Sequence, residues 1–413
     1  MKTYRLIRIL AGLALSAAML ALSAPCRAAD GDTITENRFR GFLSADLRPA
    51  WIIPTSEWFR GNNPLQNRFG GAMSATVKGG FSFGPRSEAR RLYGDTYQGL
   101  ALSYTDLFGH NLLGRPVSLF VYQGFPIAPL SRRLSLFAEW EFGASFGWKT
   151  QQWSMEMPGV NGSPVTARLG LNLVLRYALS RSLDLVTAID LTHFSNGNTR
   201  VPNAGTNLAG LRLGVTYYPG MRPAYDQATP FRHEVPAPAW SWDLLLYGAA
   251  HKRFFRDSDD QPIPLPGCFA VAGATFGPMR DLRGGVLRIG GTFDLQWDEG
   301  ADIERYLIRD LPGPHPYYLR PPVSRQISAG VSARGEIVLP YFAINVGIGR
   351  NIWSAAPDQR VFYQTLALKT MITPRAYLNV GYSLRNFAHP RTLMIGLGWR
   401  FGNTSPAPTL SHL

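Results

Sequence analysis

The chain has 413 residues and a formal net charge of +14, yet only 17% of its residues are charged while 12% are aromatic. Two cysteines, Cys26 and Cys268, exclude a disulfide-stapled secreted scaffold. Beyond the N-terminus no segment offers the roughly 18 consecutive apolar residues of a membrane helix.

The N-terminus reads as a secretory signal. Lys2, Arg5 and Arg8 form a positive start, residues 9–22 are apolar, and Cys26 and Ala28 are the small residues of a cleavage site that leaves a mature chain from about Ala29. Lipidation of Cys26 is the poorer reading, because Pro25 precedes it. Cleavage removes four basic residues and no acidic one, so the mature charge is 14 − 4 = +10. Such a surplus suits an anionic partner. Export disfavours nucleic acid and leaves acidic lipid or phosphorylated glycolipid.

Beyond the signal the chain is a succession of alternating segments. In 134–148 the even positions are Leu134, Leu136, Ala138, Trp140, Phe142, Ala144, Phe146 and Trp148, and the odd ones include Ser135, Glu139, Glu141 and Ser145. Period-2 alternation of this length predicts a strand with one apolar and one polar face. In 165–177 six apolar residues from Val165 to Leu175 alternate with Thr166, Arg168, Gly170, Asn172 and Arg176. Two arginines on an inner face are costly in a packed sandwich. They suit a polar barrel lumen with the leucines facing lipid, where Glu139 and Glu141 are expected to partner arginines.

About sixteen such segments occur, of the length that a membrane strand requires. They lie near 40–53, 70–84, 95–107, 116–124, 132–148, 165–178, 183–195 and 207–218, then 238–252, 267–279, 285–298, 325–338, 342–350, 361–372, 375–385 and 391–401. With a periplasmic N-terminus, the long links 54–69, 149–164, 253–266 and 299–324 fall outside, and short links such as 179–182, 280–284, 339–341 and 373–374 fall inside. That asymmetry is the habit of outer-membrane barrels. The prediction is an all-β transmembrane antiparallel barrel of about 14–16 strands in the outer membrane, closed by the strand ending at Phe401. The alternative is an 8-stranded barrel in 29–220 plus a second β unit in 221–403, divided by the proline-rich 219–237. Residues 404–413 read as a disordered tail.

The segment that carries chemistry runs from Asp190 through His193, Ser195, Asn196, Gly197 and Asn198 to Pro202, Asn203 and Asn207. Leu183, Leu185, Ile189, Leu191, His193 and Ser195 share one face of an outward-running strand, and Asn207, Leu211, Leu213 and Tyr217 share the corresponding face of its return. The hairpin therefore brings His193, Ser195 and Asn207 together at the lipid face, at outer-leaflet depth. A serine needs a base, and the base needs a third group to fix its tautomer. Asn196, Gly197 and Asn203 are candidates for stabilising an oxyanion. The bland alternative is a set of polar strand ends in the headgroup zone and an ordinary Asn/Gly turn.

The pattern H-x-S-N followed by P-N-x-G and a return strand resembles the lipid A 3-O-deacylase (PagL-type) and acyloxyacyl-hydrolase-like outer-membrane enzymes. The resemblance implies an 8-stranded barrel, lipid A as substrate, ester hydrolysis by a lipid-facing Ser-His-Glu triad, and neither metal nor other cofactor. It maps His193 to the base and Ser195 to the nucleophile, with Asn196 and Asn203 near the oxyanion site. It is sharp only over 190–217. The glutamate position falls on Asn207, whose amide can orient a histidine but adds no charge.

Three functions compete: an outer-leaflet esterase, a porin, and a non-catalytic lipid-A-binding barrel. Two further features are weaker. His251, Lys252, Arg253 and Arg256 form a basic cluster that would suit phosphates or simply a solvated rim. The acidic run 257–260 lacks the glycine and distal glutamate of a calcium loop and reads as solvated charge.

Overall fold

The computed structural model describes residues 39–413 apart from 85–86, 110, 220–238, 257–261, 283–284, 309–315, 388, 403–406 and 413. The signal peptide, the proline-rich link and the acidic run 257–260 lie outside the described residues. Among those described, no helix is long and apolar enough to cross a membrane.

Sixteen long strands form two closed antiparallel barrels. The first comprises β1 (Phe39–Ile53), β2 (Gly71–Phe83), β3 (Tyr97–Asp106), β4 (Gly114–Pro129), β5 (Leu134–Trp148), β6 (Val165–Ala178), β7 (Leu183–Ser195) and β8 (Thr206–Tyr217). It closes where β8 pairs with β1, from Leu43 opposite Tyr217 to Ile53 opposite Asn207. The second comprises β9 (Trp240–His251), β10 (Phe269–Leu282), β11 (Leu287–Asp298), β12 (Ile327–Val338), β13 (Phe342–Ser354), β14 (Phe362–Met371), β15 (Ala376–Arg385) and β16 (His389–Gly402). It closes through β16 against β9.

The strands fall where the alternation predicts them, but the single large barrel does not form; the arrangement is the 8-stranded barrel with a second β unit. The strand pattern alone could not separate the two. Closure is a matter of which strands pair, and β8 ends on residues as ordinary as those of any other strand. The tail also departs from expectation. Residues 407–412 pack at the mouth of the second barrel, where Ala407 and Thr409 are buried and Tyr341 N donates to Pro408 O at 2.7 Å.

Each barrel is apolar outside and charged within, the inverse of a soluble protein. Trp51 is 65% exposed and Leu213 59%, whereas Arg168, on an inward position of β6, is 1% exposed. The first lumen holds Arg48, Lys78, Arg168 and Arg212 against Asp46, Glu139, Glu141 and Asp190. Lys78 reaches Glu139 at 2.7 Å, Arg168 reaches Glu141 at 2.8 Å, and Arg212 reaches Glu139 at 2.8 Å and Asp190 at 2.7 Å. Within this network four cations face four carboxylates, and Arg176 and Asp184 also point into the same lumen. In the second lumen Arg288, Lys369 and Arg400 surround Glu336 and Asp243.

The barrels lie side by side. At one end, outward residues of β2, β4 and β5 meet the turn between β12 and β13. Trp140 and Phe342 pack edge to face with ring centroids 5.0 Å apart, Phe83 stacks on Tyr341, and Gln123 Nε2 donates to Pro340 O at 2.8 Å. Buried Val338, Leu339 and Ala343 complete that contact. A second contact at the opposite end involves the link between β7 and β8.

Candidate active site at the β7–β8 hairpin

The hairpin register sets the site. His193 lies directly opposite Asn207, and Leu169 of β6 lies on the other side of His193. Along β7, Asp190, Thr192 and Phe194 are buried inward, while Ile189 and Leu191 are exposed and His193 and Ser195 half-buried on the outer face. Asn207 shares that outer face with exposed Leu211 and Leu213. Beneath the hairpin, Phe194 is fully buried against Trp148, ring centroids 5.2 Å apart, which fixes the end of β7.

His193 Nδ1 and Asn207 Oδ1 are 2.6 Å apart. Asn207 Nδ2 donates to Thr55 Oγ1 at 3.2 Å, which turns the amide oxygen toward the imidazole. An oxygen acceptor there favours the tautomer with its proton on Nδ1 and leaves the Nε2 lone pair as a base. Gly205, at φ +72°, packs against the ring: a Cβ at this position would sit 3.0 Å from His193 Cε1. Only glycine combines that dihedral with so close an approach.

Ser195 Oγ donates to Asn203 Oδ1 at 3.2 Å and accepts from Gly197 N at 3.1 Å. It makes no hydrogen bond to His193, although both project from the same face. Asn203 Oδ1 also accepts from Asn196 N at 3.0 Å. Asn196 is turned inward, its Nδ2 donating to Arg200 O at 3.1 Å and Pro202 O at 3.3 Å. The oxyanion candidates therefore separate. The N–H groups of Asn196 and Gly197 are already engaged, whereas Asn203 Nδ2 has no acceptor among the described residues. Asn203 is itself anchored by a β-bridge to Asn161, and Ala204 N donates to Val160 O at 2.9 Å.

Sequence reasoning missed Thr55 and Asn161. Both lie in long links whose composition carries no strand period, and each becomes part of the site only through tertiary placement. The basic cluster does not survive as a free patch. His251 Nε2 lies 3.2 Å from Asp298 Oδ1, Arg253 Nη2 lies 2.6 Å from Asp298 Oδ2, and Lys252 Nζ donates to Gly267 O. Among the described residues no group of three or more His, Cys, Asp or Glu side chains is placed to hold a metal.

Residues 133–216 match the family described as "Lipid A 3-O-deacylase (PagL)", and residues 240–403 match "Acyloxyacyl hydrolase, C-terminal domain". No curated protein matches the sequence. Similar solved structures include the alcaligin outer-membrane receptor FauA from Bordetella pertussis, with 13% identity, coverage of 88% of this chain and 65% of that one, and a TM-score of 0.24. This chain thus spans less than two thirds of that receptor's length. Another is the Acinetobacter baumannii outer membrane protein Omp33, with 10% identity, coverage of 89% and 99%, and a TM-score of 0.15. Scores this low carry no inference. The two family matches run through the candidate hairpin and then the whole second barrel: the chain is similar to the lipid A 3-O-deacylase (PagL) family over 133–216 and to the acyloxyacyl hydrolase C-terminal domain over 240–403.

Proposed function

We propose that the first barrel is an outer-membrane esterase that removes an ester-linked acyl chain from lipid A at the outer leaflet. The observation that carries the reading is the 2.6 Å contact between His193 Nδ1 and Asn207 Oδ1, two residues from a serine on the same lipid-directed face. A site facing outward from an apolar barrel wall takes a substrate that lies in the bilayer.

In this reading Ser195 leaves Asn203 by a χ1 rotation between staggered wells and gives its proton to His193 Nε2 as Oγ attacks the acyl carbonyl. Asn207 holds the ring while it is charged. Asn203 Nδ2, the uncommitted amide beside Ser195, donates to the oxyanion. Collapse transfers the proton from His193 to the departing sugar hydroxyl and leaves the acyl group on Ser195. Water, deprotonated by the same histidine, then releases the fatty acid and restores the serine. No step calls for a metal.

Mass spectrometry of lipid A from cells expressing the wild type, Ser195→Ala or His193→Ala tests this. Loss of one ester-linked chain with the wild type alone supports it, because the pair acts as a unit. An unchanged lipid A in all three favours the non-catalytic lipid-A-binding barrel. That second reading draws on the Ser195 hydroxyl being bonded to Asn203 and on an amide standing where the family resemblance expects a carboxylate. A pore is opposed by the ion-pair networks that span both lumens.

A further inference from the structure

The second contact between the barrels falls on the link that follows Ser195. Lys252, directly after β9, donates its N–H to Asn198 O at 3.0 Å, and Asn198 Nδ2 returns a hydrogen bond to Lys252 O at 3.3 Å. Gly197, at φ +65°, lies under Leu393 of β16, so that a Cβ there would be 2.6 Å from Leu393 Cδ1. Cys268, just before β10, has its Sγ 3.9 Å from Thr199 O. Three consecutive residues, 197–199, are thus touched by three different strands or strand ends of the other barrel.

These contacts connect to the nucleophile through one short path. Gly197 N donates to Ser195 Oγ at 3.1 Å. On its far side the link is held to its own barrel by the Asn161–Asn203 bridge and by Gly162 N donating to Pro202 O at 2.7 Å. The link is therefore gripped from both sides. Lys252 is a firm point of attachment because His251, its neighbour, pairs with Phe269 in the ladder and is fixed by Asp298 inside the second barrel. Asn198 stands at φ +63°, a left-handed conformation that asparagine tolerates better than most residues.

We propose that the second barrel is a positioning element for the active site. Through Lys252 and Leu393 it clamps residues 197–199 and so sets the orientation of Ser195 and Asn203. This rests on the esterase reading for its catalytic consequence, though the clamp itself is independent of it. Lys252 and Leu393 act on Ser195 through Gly197, whose N–H donates to the Ser195 hydroxyl.

The test uses the full-length protein in detergent micelles, with ester hydrolysis of lipid A and amide hydrogen exchange over 196–204 as separate readouts. Gly197→Ala drives a methyl into Leu393 and is expected to lower kcat about tenfold with KM within about twofold, since the collision disturbs the orientation of Ser195. Adding Leu393→Ala removes the collision but not the backbone strain, and regains about threefold or more in kcat. A double variant no faster than Gly197→Ala overturns the proposal. Asn198→Gly keeps the left-handed backbone and loses the amide bond to Lys252 O, so exchange over 196–204 should quicken and kcat should fall. Faster exchange with unchanged kcat also overturns the positioning role. If the wild type hydrolyses nothing, the esterase reading fails, and exchange alone decides the clamp: unchanged exchange in both Asn198→Gly and Leu393→Ala refutes it.

Discussion

Replacing Asn207 by aspartate changes one group in the contact to His193 and leaves the geometry nearly intact. The oxygen 2.6 Å from Nδ1 stays where it is, and Thr55, which now accepts from the amide, can donate its hydroxyl to the second carboxylate oxygen instead. What changes, in the proposed mechanism, is the charge facing the imidazolium that would form as Ser195 is deprotonated. Unit charges about 4 Å apart interact by about 4 kcal/mol at an effective dielectric constant near 20. The pair is half-exposed, and solvent screening reduces this to about 1 kcal/mol. At about 1.4 kcal/mol per decade, the gain in turnover is about fivefold. Placing the new charge near the membrane interface costs about 0–1 kcal/mol of stability, too little to unfold the barrel. Asn207→Ala does the opposite, leaving the Nδ1 proton without an acceptor and the ring without an orienting partner, and should reduce turnover about tenfold or more. The assay is release of ester-linked fatty acid from lipid A in detergent, after confirming that all three proteins show the heat-modifiable gel migration of a closed barrel. The expected order is Asn207→Asp, then wild type, then Asn207→Ala. Equal rates in the three would show that Asn207 is not the partner of the base and would refute the reasoning.

Asn203→Ala should lower kcat about 10²-fold with folding unchanged if its amide donates to the oxyanion; a rise in rate would show instead that Asn203 merely sequesters the Ser195 hydroxyl. Thr55→Val frees the Asn207 amide to rotate and should cut turnover a few-fold, measured in the same assay, with KM unaltered. Arg212→Met leaves Glu139, Glu141 and Asp190 short of one cation in a closed lumen and should destabilise the first barrel by about 3–5 kcal/mol, read from denaturant unfolding in micelles. Planar bilayers containing the protein should show no steady ion conductance, because Arg212 and Lys78 in one lumen, and Arg288 and Arg400 in the other, are tied across it to carboxylates.

Much of this was legible in the sequence because a membrane strand writes its two faces in alternate letters. Glu139 and Glu141 could be placed inward, and His193, Ser195 and Asn207 outward on a shared face, from parity alone, whereas the pairing of His193 directly opposite Asn207 needed the structure, because a slip of two residues keeps the same faces. Closure was not legible. Pairing of Ile53 with Asn207 joins residues far apart in the chain, and no local property of β8 marks it as the strand that returns to β1. The same holds for Thr55 and Asn161, which reach the site by tertiary placement from aperiodic links. The packed tail was missed because a Pro/Ser/Thr-rich composition describes what a segment can do alone, whereas Ala407 is buried only because another element covers it.

Each ladder of hydrogen bonds runs in a complete circle, so the two cylinders share no backbone pairing between strands. What joins them laterally is an aromatic and apolar seam at one end and the grip on residues 197–199 at the other. Leaning of one cylinder against the other therefore breaks no β-ladder, and the lipid around them sets how far they lean, through the match between their apolar bands and the hydrocarbon thickness. On the esterase reading, bilayer thickness becomes a variable of turnover: in liposomes of graded acyl length, the rate should pass through a maximum where both cylinders stand level, and fall on either side as the seam tilts.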